Sequence, residues 1–216
     1  MEALLIAVST AQPRVIWQRN GETVVSAIGK TVVAAERVRV DARNIVGDTQ
    51  ADLRVHGGSD KAVYSYSADH WPWWEKHGLS CQPATFGENL TLAGVDEADV
   101  CIGDRFRWSD VVLEVSEPRA PCYKLGIHTA REDVPPLMMR SARCGWYFRV
   151  IEEGEAPTRN TKLTRVQASG GPSVRDAFIA ALHPSTRDLC LRVHDAPALA
   201  EAWRRTLAKK LAKMTP

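Results

Sequence analysis

Short apolar runs with β-branched residues and little helical period occupy the first three quarters of the chain. They predict strands at residues 4–9, 23–28, 31–40, 62–66, 86–92, 111–116 and 145–151, and at 100–108 with a turn at Gly103-Asp104. Because no long helical periods separate these strands, the pattern predicts an antiparallel barrel or sandwich. Short helices are predicted at 68–77, which carries a tryptophan cluster typical of a core, and at 133–139. Residues 152–160 are predicted to form a polar turn.

The pattern changes near Ser169, where Ser169-Gly170-Gly171-Pro172 is typical of a linker. After it, apolar residues recur at helical spacing and predict three helices. Ser185 is the expected cap of the second, and Asp195 of the third, which carries Leu199, Trp203, Leu207 and Leu211 as one stripe. The predicted fold class is mainly β with α, as a barrel domain at 1–165 and a small three-helix domain at 166–216.

Composition narrows the functional classes. The chain has 216 residues, 44% of them hydrophobic, and a net charge of +2, so no global feature indicates a nucleic-acid or membrane partner. No apolar run approaches the roughly 20 residues of a membrane helix, and the N-terminus lacks the basic region of a signal peptide. The five cysteines are odd in number and form no CxxC pair. Disulfide frameworks and four-cysteine zinc sites are therefore disfavoured, and a cytoplasmic protein with reduced thiols is expected.

Cys122 is the candidate reactive residue. It follows the strand at 111–116, lies just after Pro121, and has Arg119 before it and Lys124 after it. The prolines stiffen the loop, and neighbouring cations favour the thiolate form that attacks substrates or binds metals. The local sequence is equally compatible with Cys122 being a small buried hydrophobic residue, because free cysteines are commonly buried.

A second polar segment contains His56-Gly57-Gly58, followed by Asp60 and Lys61. Its glycines can adopt positive φ, and such a turn can present backbone N–H groups to an anion. The motif alone favours a simpler interpretation, a Gly-Gly hairpin turn beside a solvated histidine, because short glycine-rich signals are weak.

Taken together and in order, the motifs resemble the MOSC domain, which is found at the C-terminus of molybdenum-cofactor sulfurases. The resemblance rests on Gly47-Asp48, His56-Gly57-Gly58, Asp60-Lys61-Ala62-Val63, Phe86-Gly87-Glu88-Asn89-Leu90, Gly103-Asp104 and Pro118-Arg119-Ala120-Pro121-Cys122-Tyr123-Lys124. It covers nearly the whole chain, because the tail resembles the three-helix unit that accompanies this domain in one branch of the family. The resemblance implies a MOSC-type β-barrel with its site around Cys122.

The resemblance also implies the site's occupants. The molybdenum cofactor (molybdopterin) is expected, with Cys122 as metal ligand and catalytic residue and His56 as a second catalytic residue. The expected cofactor-binding residues are Gly57, Gly58, Asp60, Lys61, Asn89, Arg119 and Lys124. Soft thiolate ligands suit such metals, and the cations suit the cofactor's phosphate.

The implied activity is reduction of small N-hydroxylated compounds, of the 6-N-hydroxylaminopurine type, by oxygen abstraction. The tail, and the lack of the pyridoxal-phosphate domain of the sulfurases, favour this branch. Because the chain carries neither iron–sulfur spacing nor a dinucleotide fingerprint, a separate electron-donor reductase is expected. Two alternatives stay open: a persulfide carrier on Cys122 for metal–sulfur assembly, and a non-catalytic cofactor-binding module.

Overall fold

The computed structural model describes residues 1–49 and 58–214. In these residues seven strands form a closed barrel, and the remaining elements are arranged around it. The strands are β1 (Glu2–Thr10), β2 (Arg14–Arg19), β3 (Glu22–Ser26), β4 (Thr31–Val32), β5 (Arg37–Val40), β6 (Val63–Ser67), β7 (Leu90–Ala93), β8 (Arg105–Trp108), β9 (Val111–Pro118), β10 (Trp146–Glu152), β11 (Gly154–Pro157) and β12 (Thr161–Gln167). The helices are α1 (Trp71–Lys76), α2 (Tyr123–Thr129), α3 (Val134–Ser141), α4 (Val174–Leu182), α5 (Arg187–His194) and α6 (Glu201–Leu211).

The barrel runs in the order β12-β8-β9-β10-β6-β7-β1 and closes because β12 also pairs with β1, where Glu2 lies opposite Thr164. Neighbouring strands are antiparallel except β6 and β7, which are parallel. The structure therefore confirms a mainly β fold and selects the barrel over the sandwich. Closure leaves these strands without free edges.

Large aromatic residues fill the core. Trp74, Trp108, Trp146 and Phe148 are fully buried, and the indole of Trp74 donates a hydrogen bond of 2.5 Å to the Tyr66 hydroxyl. The predicted core role of the tryptophan cluster is thus confirmed for Trp74. This hydrogen bond offsets the cost of burying the Trp74 indole N–H.

Two outer ribbons depart from the sequence prediction. Residues 31–40 form two short strands, and the predicted polar turn at 152–160 contains β11, which pairs with β5 so that Gly154 lies opposite Val40. The other ribbon is the β2–β3 hairpin, of which only β3 was predicted. β11 is short and its strand partner is distant in sequence, so local composition could not reveal it.

The three predicted C-terminal helices are present, with different caps. Thr186, rather than Ser185, caps α5 through its side chain. The prediction that Asp195 caps the third helix was wrong: Asp195 is the C-cap of α5, and α6 begins only at Glu201. A turn in which Leu199 N donates to Ala196 O separates the two helices.

The C-terminal helical unit packs directly on the barrel. α4 contacts β9, and Ala200 N donates a 3.0 Å hydrogen bond to Ser116 O on that strand. Every residue of β9 is buried, because the core covers one face and other elements, α4 among them, cover the other. β12 continues to Gln167, two residues beyond the predicted boundary, and the division into two domains stays a prediction. Within the described ranges, no helix has both the length and the apolarity needed to cross a membrane.

Candidate functional site

The loop that carries Cys122 is shorter than the sequence suggested. β9 extends through Pro118 and α2 begins at Tyr123, so four residues connect them. Cys122 is the N-terminal cap residue of α2, with extended backbone (φ −128°), and it is partly exposed. Of the two interpretations of this thiol, the structure therefore favours an accessible group over a core residue.

Gly145 anchors the base of this loop. Its carbonyl accepts a hydrogen bond of 3.2 Å from Arg119 N, and its N–H donates one of 2.6 Å to Glu97 Oε1. The residue has φ +67°, and a Cβ atom there would lie 2.2 Å from Ser65 O. Only glycine fits, because both the backbone conformation and the space exclude a side chain.

The Glu97 that anchors Gly145 belongs to a cluster with His70 and Asp96. The ligand atoms of these three side chains lie within 4.8 Å of one another. His70 Nε2 is 2.6 Å from Glu97 Oε2, while the other oxygen of Glu97 serves Gly145. Both Glu97 oxygens and His70 Nε2 are thus engaged within the fold, where Glu97 supports the loop through Gly145.

Arg119 points inward from the loop. It is 7% exposed; its Cζ lies 5.2 Å from the Tyr64 ring centroid, and Nη1 lies 3.3 Å from the Met138 sulfur. Burial lowers the pKa of Arg119, but Tyr64, Tyr147 and Cys122 outweigh burial, so its pKa is raised and it stays charged. No carboxylate pairs with it in residues 1–49 and 58–214.

Arg119 and Cys122 line one open pocket with about 650 Å³ of space. The pocket is lined by Ser26, Ala27, Ile28, Lys30, Asp48, Thr49, Lys61, Tyr64, Gly87, Asn89, Arg119, Cys122, Lys124 and Tyr147. We call it the cationic pocket, because three lysines and an arginine line it and Asp48 is the one carboxylate among these described lining residues. An unneutralised buried cation facing such a pocket favours an anionic ligand.

Asp48, the carboxylate among the described lining residues, is already neutralised. Lys30 Nζ lies 2.5 Å from both oxygens of Asp48, which also accept hydrogen bonds from Asn89 Nδ2 at 2.8 Å and Ala11 N at 2.7 Å. Burial lowers the pKa of Lys30, although Asp48 acts to raise it. Asp48 and Asn89 thus hold the Lys30 ammonium at the wall.

Lys61 is held at another wall by Glu117. It ends the 3₁₀ turn Ser59–Lys61, and its Nζ lies 3.5 Å from Glu117 Oε1. Glu117 is 2% exposed, and burial raises its pKa to about 7 although Lys61 lowers it. Glu117 Oε2 accepts no well-formed hydrogen bond from a described residue, although the Trp203 indole of α6 is near enough to lower the pKa. A group that titrates near neutrality therefore adjoins the pocket.

The structure brings together five of the predicted site residues, Lys61, Asn89, Arg119, Cys122 and Lys124, which line the cationic pocket. Lys124 Nζ donates to Val25 O at 3.1 Å.

Two other predicted residues lie apart from that lining. Asp60 Oδ1 is 2.7 Å from Arg149 Nη2, and Gly58, with φ +103°, precedes the 3₁₀ turn. His56 and Gly57 lie outside the described residues, so their roles, like those of Gly58 and Asp60, stay predictions.

Sequence reasoning missed Lys30, Tyr64, Tyr147 and Glu117. Burial raises the pKa of Tyr147 to about 12 and that of Tyr64 well above its ordinary value, so both phenols stay neutral beside Arg119. The tyrosines lie on paired strands and Lys30 follows a turn, so no local motif marks them. Glu117 directly precedes the Pro118–Lys124 motif in sequence, but its burial depends on long-range packing.

The other cysteines differ from Cys122. Burial raises the pKa of Cys81 to about 12 and also raises those of Cys101 and Cys144. Cys144 and Cys190 are buried. Among the cysteines, Cys122 is therefore the one that combines access with a cation-lined pocket.

Comparison with known proteins identifies the family. Residues 52–168 match the MOSC domain. The chain is 36% identical over 215 residues to the uncharacterized protein YflK of Bacillus subtilis, covering 98% of this chain and 96% of YflK. It is 36% identical over 191 residues to the protein YiiM of Escherichia coli, covering 86% and 84% respectively.

Two further matches bear on fold and activity. The crystal structure of YiiM from Geobacillus stearothermophilus superimposes with a TM-score of 0.79 at 29% identity, over 97% of this chain and 99% of that one. A Gibberella moniliformis protein named reductase is 34% identical over 159 residues, which is 67% of this chain and 28% of the fungal protein.

Proposed function

Because the chain belongs to the MOSC domain family, we propose that it is a molybdenum-cofactor-dependent reductase of N-hydroxylated compounds, with Cys122 as the thiolate ligand of the metal. The observation that carries this proposal is the charge of the cationic pocket. A buried guanidinium without a carboxylate partner in the described chain faces the same space as the accessible thiol. The resemblance to a protein named reductase supports the oxidoreductase class.

The residues present fit such a group. Its phosphate needs strong donors, and Arg119, Lys61 and Lys124 supply a planar fork and two point charges. Its flat pterin needs aromatic contact, which Tyr147 can provide at the same pocket. The Asn89 amide already donates to Ser9 O and Asp48 Oδ2, so its part is to hold the pocket wall. A soft metal needs a thiolate, and Cys122 offers one on a loop fixed at Gly145.

When bound, the cofactor supplies the two-electron chemistry by which R–NHOH, two electrons and two protons become R–NH₂ and water. The chain's own residues hold the reactants and the protons. The Glu117 carboxyl, whose burial raises its pKa to about 7, lies 3.5 Å from Lys61 Nζ. This carboxyl can therefore take up or release a proton near neutral pH. His56 is proposed to donate a proton to the departing hydroxyl.

The electrons are proposed to come from a separate reductase. The sequence has neither the cysteine spacing of a ferredoxin nor a glycine-rich dinucleotide fingerprint.

The test is purification from a host that makes the cofactor, followed by metal and pterin analysis and an assay with a competent electron donor. We expect molybdenum near one atom per chain and reduction of an N-hydroxylated substrate. Cyanide-releasable sulfur on Cys122 without molybdenum would contradict the proposal and favour a persulfide carrier. Bound cofactor without turnover would instead favour a non-catalytic binding module.

A further inference from the structure

Glu117 is a buried carboxylate that lies next to the cationic pocket but outside its lining. Its side chain is 2% exposed, and its Oε1 is 3.5 Å from Nζ of Lys61, which lines the pocket. Its other oxygen, Oε2, accepts no well-formed hydrogen bond from a described residue. A buried carboxylate with so little compensation holds its negative charge weakly.

The C-terminal helical unit packs over this carboxylate. The Trp203 indole of α6 adjoins Glu117 and acts to lower its pKa. A hydrogen bond of 3.0 Å from Ala200 N to Ser116 O fixes the start of α6 against the residue before Glu117, and Ala200 and Ser116 are both buried. Helix α6 therefore helps to exclude water from a group that acts on the pocket.

Two other elements bring charged or titratable groups to Glu117. The 3₁₀ turn contributes Lys61, which lowers the pKa of Glu117, and Asp60, which raises it. Strand β10 contributes Tyr147, which lies opposite Glu117 and stays neutral because burial raises its pKa to about 12. Asp60 is itself paired with Arg149 at 2.7 Å. Lys61 therefore connects the charge of Glu117 to the pocket.

We propose that anion binding in the cationic pocket is coupled to proton uptake by Glu117, with Lys61 as the link and α6 as the element that keeps the carboxyl buried. An ionised Glu117 offsets the charge of Lys61 and repels an anion in the pocket, whereas the protonated carboxyl does neither. The anion and the proton therefore favour each other's binding. The proton comes from solvent and is held at a Glu117 oxygen.

The ligand class is a dianionic oxyanion such as a phosphate monoester, which suits the lysines and the arginine of the pocket. Glu117 is a positioning residue in this account, because it acts through Lys61 and does not line the pocket. The inference rests on the part of the proposed function that puts an anion in this pocket, and it does not require the metal.

The coupling operates near neutral pH. Burial raises the pKa of Glu117 to about 7, and an anion beside Lys61 should raise it further. Affinity for the anion is therefore highest below this range and falls as pH rises through it. If the anion raises the pKa of Glu117 by about one unit, affinity should fall about fivefold between pH 6 and pH 8.

The test is titration calorimetry of the cofactor-free protein with sulfate, whose own charge does not change between pH 6 and pH 8. We expect the wild type to bind sulfate about fivefold more tightly at pH 6 than at pH 8. Measurements at pH 7 in two buffers of different ionisation enthalpy should show uptake of about 0.4 proton per sulfate bound. Glu117→Gln should bind sulfate with the pH 6 affinity at both pH values and take up no proton.

The matched control is Glu114→Gln, which neutralises another buried carboxylate of β9 that is paired with Arg105 and Arg149 outside the pocket lining. It should keep the wild-type pH dependence and proton uptake. Circular dichroism confirms that each variant is folded. A pH dependence that persists in Glu117→Gln, or a wild type that does not bind sulfate at pH 6, would overturn the inference.

A second variant tests the part assigned to α6. Trp203→Phe keeps an aromatic ring beside Glu117 but removes the indole N–H that acts to lower the pKa of the carboxyl. The midpoint of the pH dependence of sulfate affinity should therefore move to higher pH. An unchanged midpoint would overturn the role of α6 in the coupling.

These outcomes are separate from those of the proposed function, because sulfate binding and proton uptake are measured without molybdenum. A protein that shows the coupling but acquires no molybdenum in a host that makes the cofactor would overturn the proposed function alone. A molybdenum-containing reductase whose sulfate affinity does not depend on Glu117 would overturn this inference alone.

Discussion

The cationic pocket and a second hollow meet at one thiol and are built in different ways. The second hollow, which we call the aromatic groove, is lined by Trp17, Pro121, Cys122, Tyr123, Gly126, Ile127, Ala130, Glu132, Pro135, Pro136 and Met139. Among the described residues that line the two hollows, Cys122 is the one they share.

The pocket is built from distant parts of the chain, because its residues come from β3, β6, β10, α2 and several connecting loops. The groove is mostly local, since ten of its eleven described lining residues fall between Pro121 and Met139. The barrel fold thus brings the charged residues of the pocket together, whereas α2, α3 and the neighbouring strand β2 form the apolar surface of the groove.

The difference distinguishes the two hollows as sites for an anion. A buried guanidinium is costly unless something compensates its charge, and the phosphate of the proposed cofactor would do so in this pocket. The groove has Glu132 as the one charged residue in its described lining, so it offers an anion no comparable partner. Variants that remove charge from the pocket should therefore change cofactor binding, whereas variants in the wall of the groove should not.

The largest effect is expected at the junction. Cys122→Ser should abolish reduction of N-hydroxylated substrates, by more than 100-fold in kcat, while the free energy of unfolding changes by less than about 1 kcal/mol. Serine is close to cysteine in size, so the loss reports on the sulfur. Turnover with an electron donor and denaturant unfolding measure the two quantities.

Its controls are Cys101→Ser and Cys144→Ser, which should keep most of the activity. Cys144 is buried, so its variant should cost a modest amount of stability. A Cys144→Ser protein that is folded but inactive would show that the wrong sulfur has been assigned.

Arg119→Met should disable the cationic pocket. We expect affinity for the cofactor to fall about 100-fold, seen as lost pterin per chain, because a charge-assisted pair with its phosphate disappears. The free energy of unfolding should hold or rise, because a buried charge without a carboxylate partner in the described chain is removed.

Arg149→Met is the matched control for that variant. Arg149 is paired with Asp60 and Glu114 at 2.7 Å and lies outside the pocket lining. The same substitution there should lower the free energy of unfolding and leave cofactor affinity unchanged. If Arg119→Met lost several kcal/mol of stability but kept its normal cofactor content, Arg119 would be a structural residue and not a cofactor-binding one.

Glu117 predicts a specific pH dependence of stability. Burial raises its pKa to about 7 from an unfolded value near 4.5, with Lys61 and Asp60 as its charged neighbours. Because the folded state holds the proton more tightly, this group's stabilisation is complete below pH ~4 and is lost as pH rises through ~7. The shift corresponds to about 3 kcal/mol. Denaturant unfolding at pH 5 and pH 8 should therefore show a smaller change with pH in Glu117→Gln than in the wild type.

Glu152→Gln is the control for this pH effect, because the Glu152 side chain is 54% exposed and pairs with Arg107 at the surface. It should keep the wild-type pH dependence. An unchanged pH dependence in Glu117→Gln would show that the carboxyl does not titrate in this range.

The smallest effect is expected at the pocket's rim. Lys124→Met should weaken cofactor binding by about two- to fivefold, more at low salt than at high salt, because a partly exposed charge is screened by solvent. Stability should change by less than ~0.5 kcal/mol. Lys209→Met, at an exposed position on α6, should change neither cofactor binding nor stability. If Lys124→Met weakened cofactor binding as much as Arg119→Met, burial would not explain the relative contributions of these two cations.

The sequence predicted most of what is local. Short apolar runs with β-branched residues located β1, β9 and β10 to within a few residues, and the four-residue stripe placed α6. It did not predict the parallel pairing of β6 with β7 or the start of α6, because strand partners and turn lengths depend on tertiary packing. Caps failed for a similar reason: Asp195 has the composition of an N-cap but follows α5 directly.

The same limit applies to the site. Arg119, Lys124 and Cys122 share one motif, so sequence reasoning found them together. Lys30 reaches the pocket through its contact with Asp48, and Glu117 acquires its pKa from burial under the helical unit. No local sequence pattern predicts either property. The groove went unnoticed because its prolines and aromatics resemble ordinary loop and core residues.

The measurement that tests the central proposal most directly is X-ray absorption at the molybdenum edge of the wild type and of Cys122→Ser, prepared side by side in a host that makes the cofactor. If Cys122 binds the metal between the two hollows, the variant should show one sulfur fewer around molybdenum, with an oxygen or nitrogen in its place. The same number of sulfur neighbours in both proteins, or no molybdenum in the wild type, would contradict it.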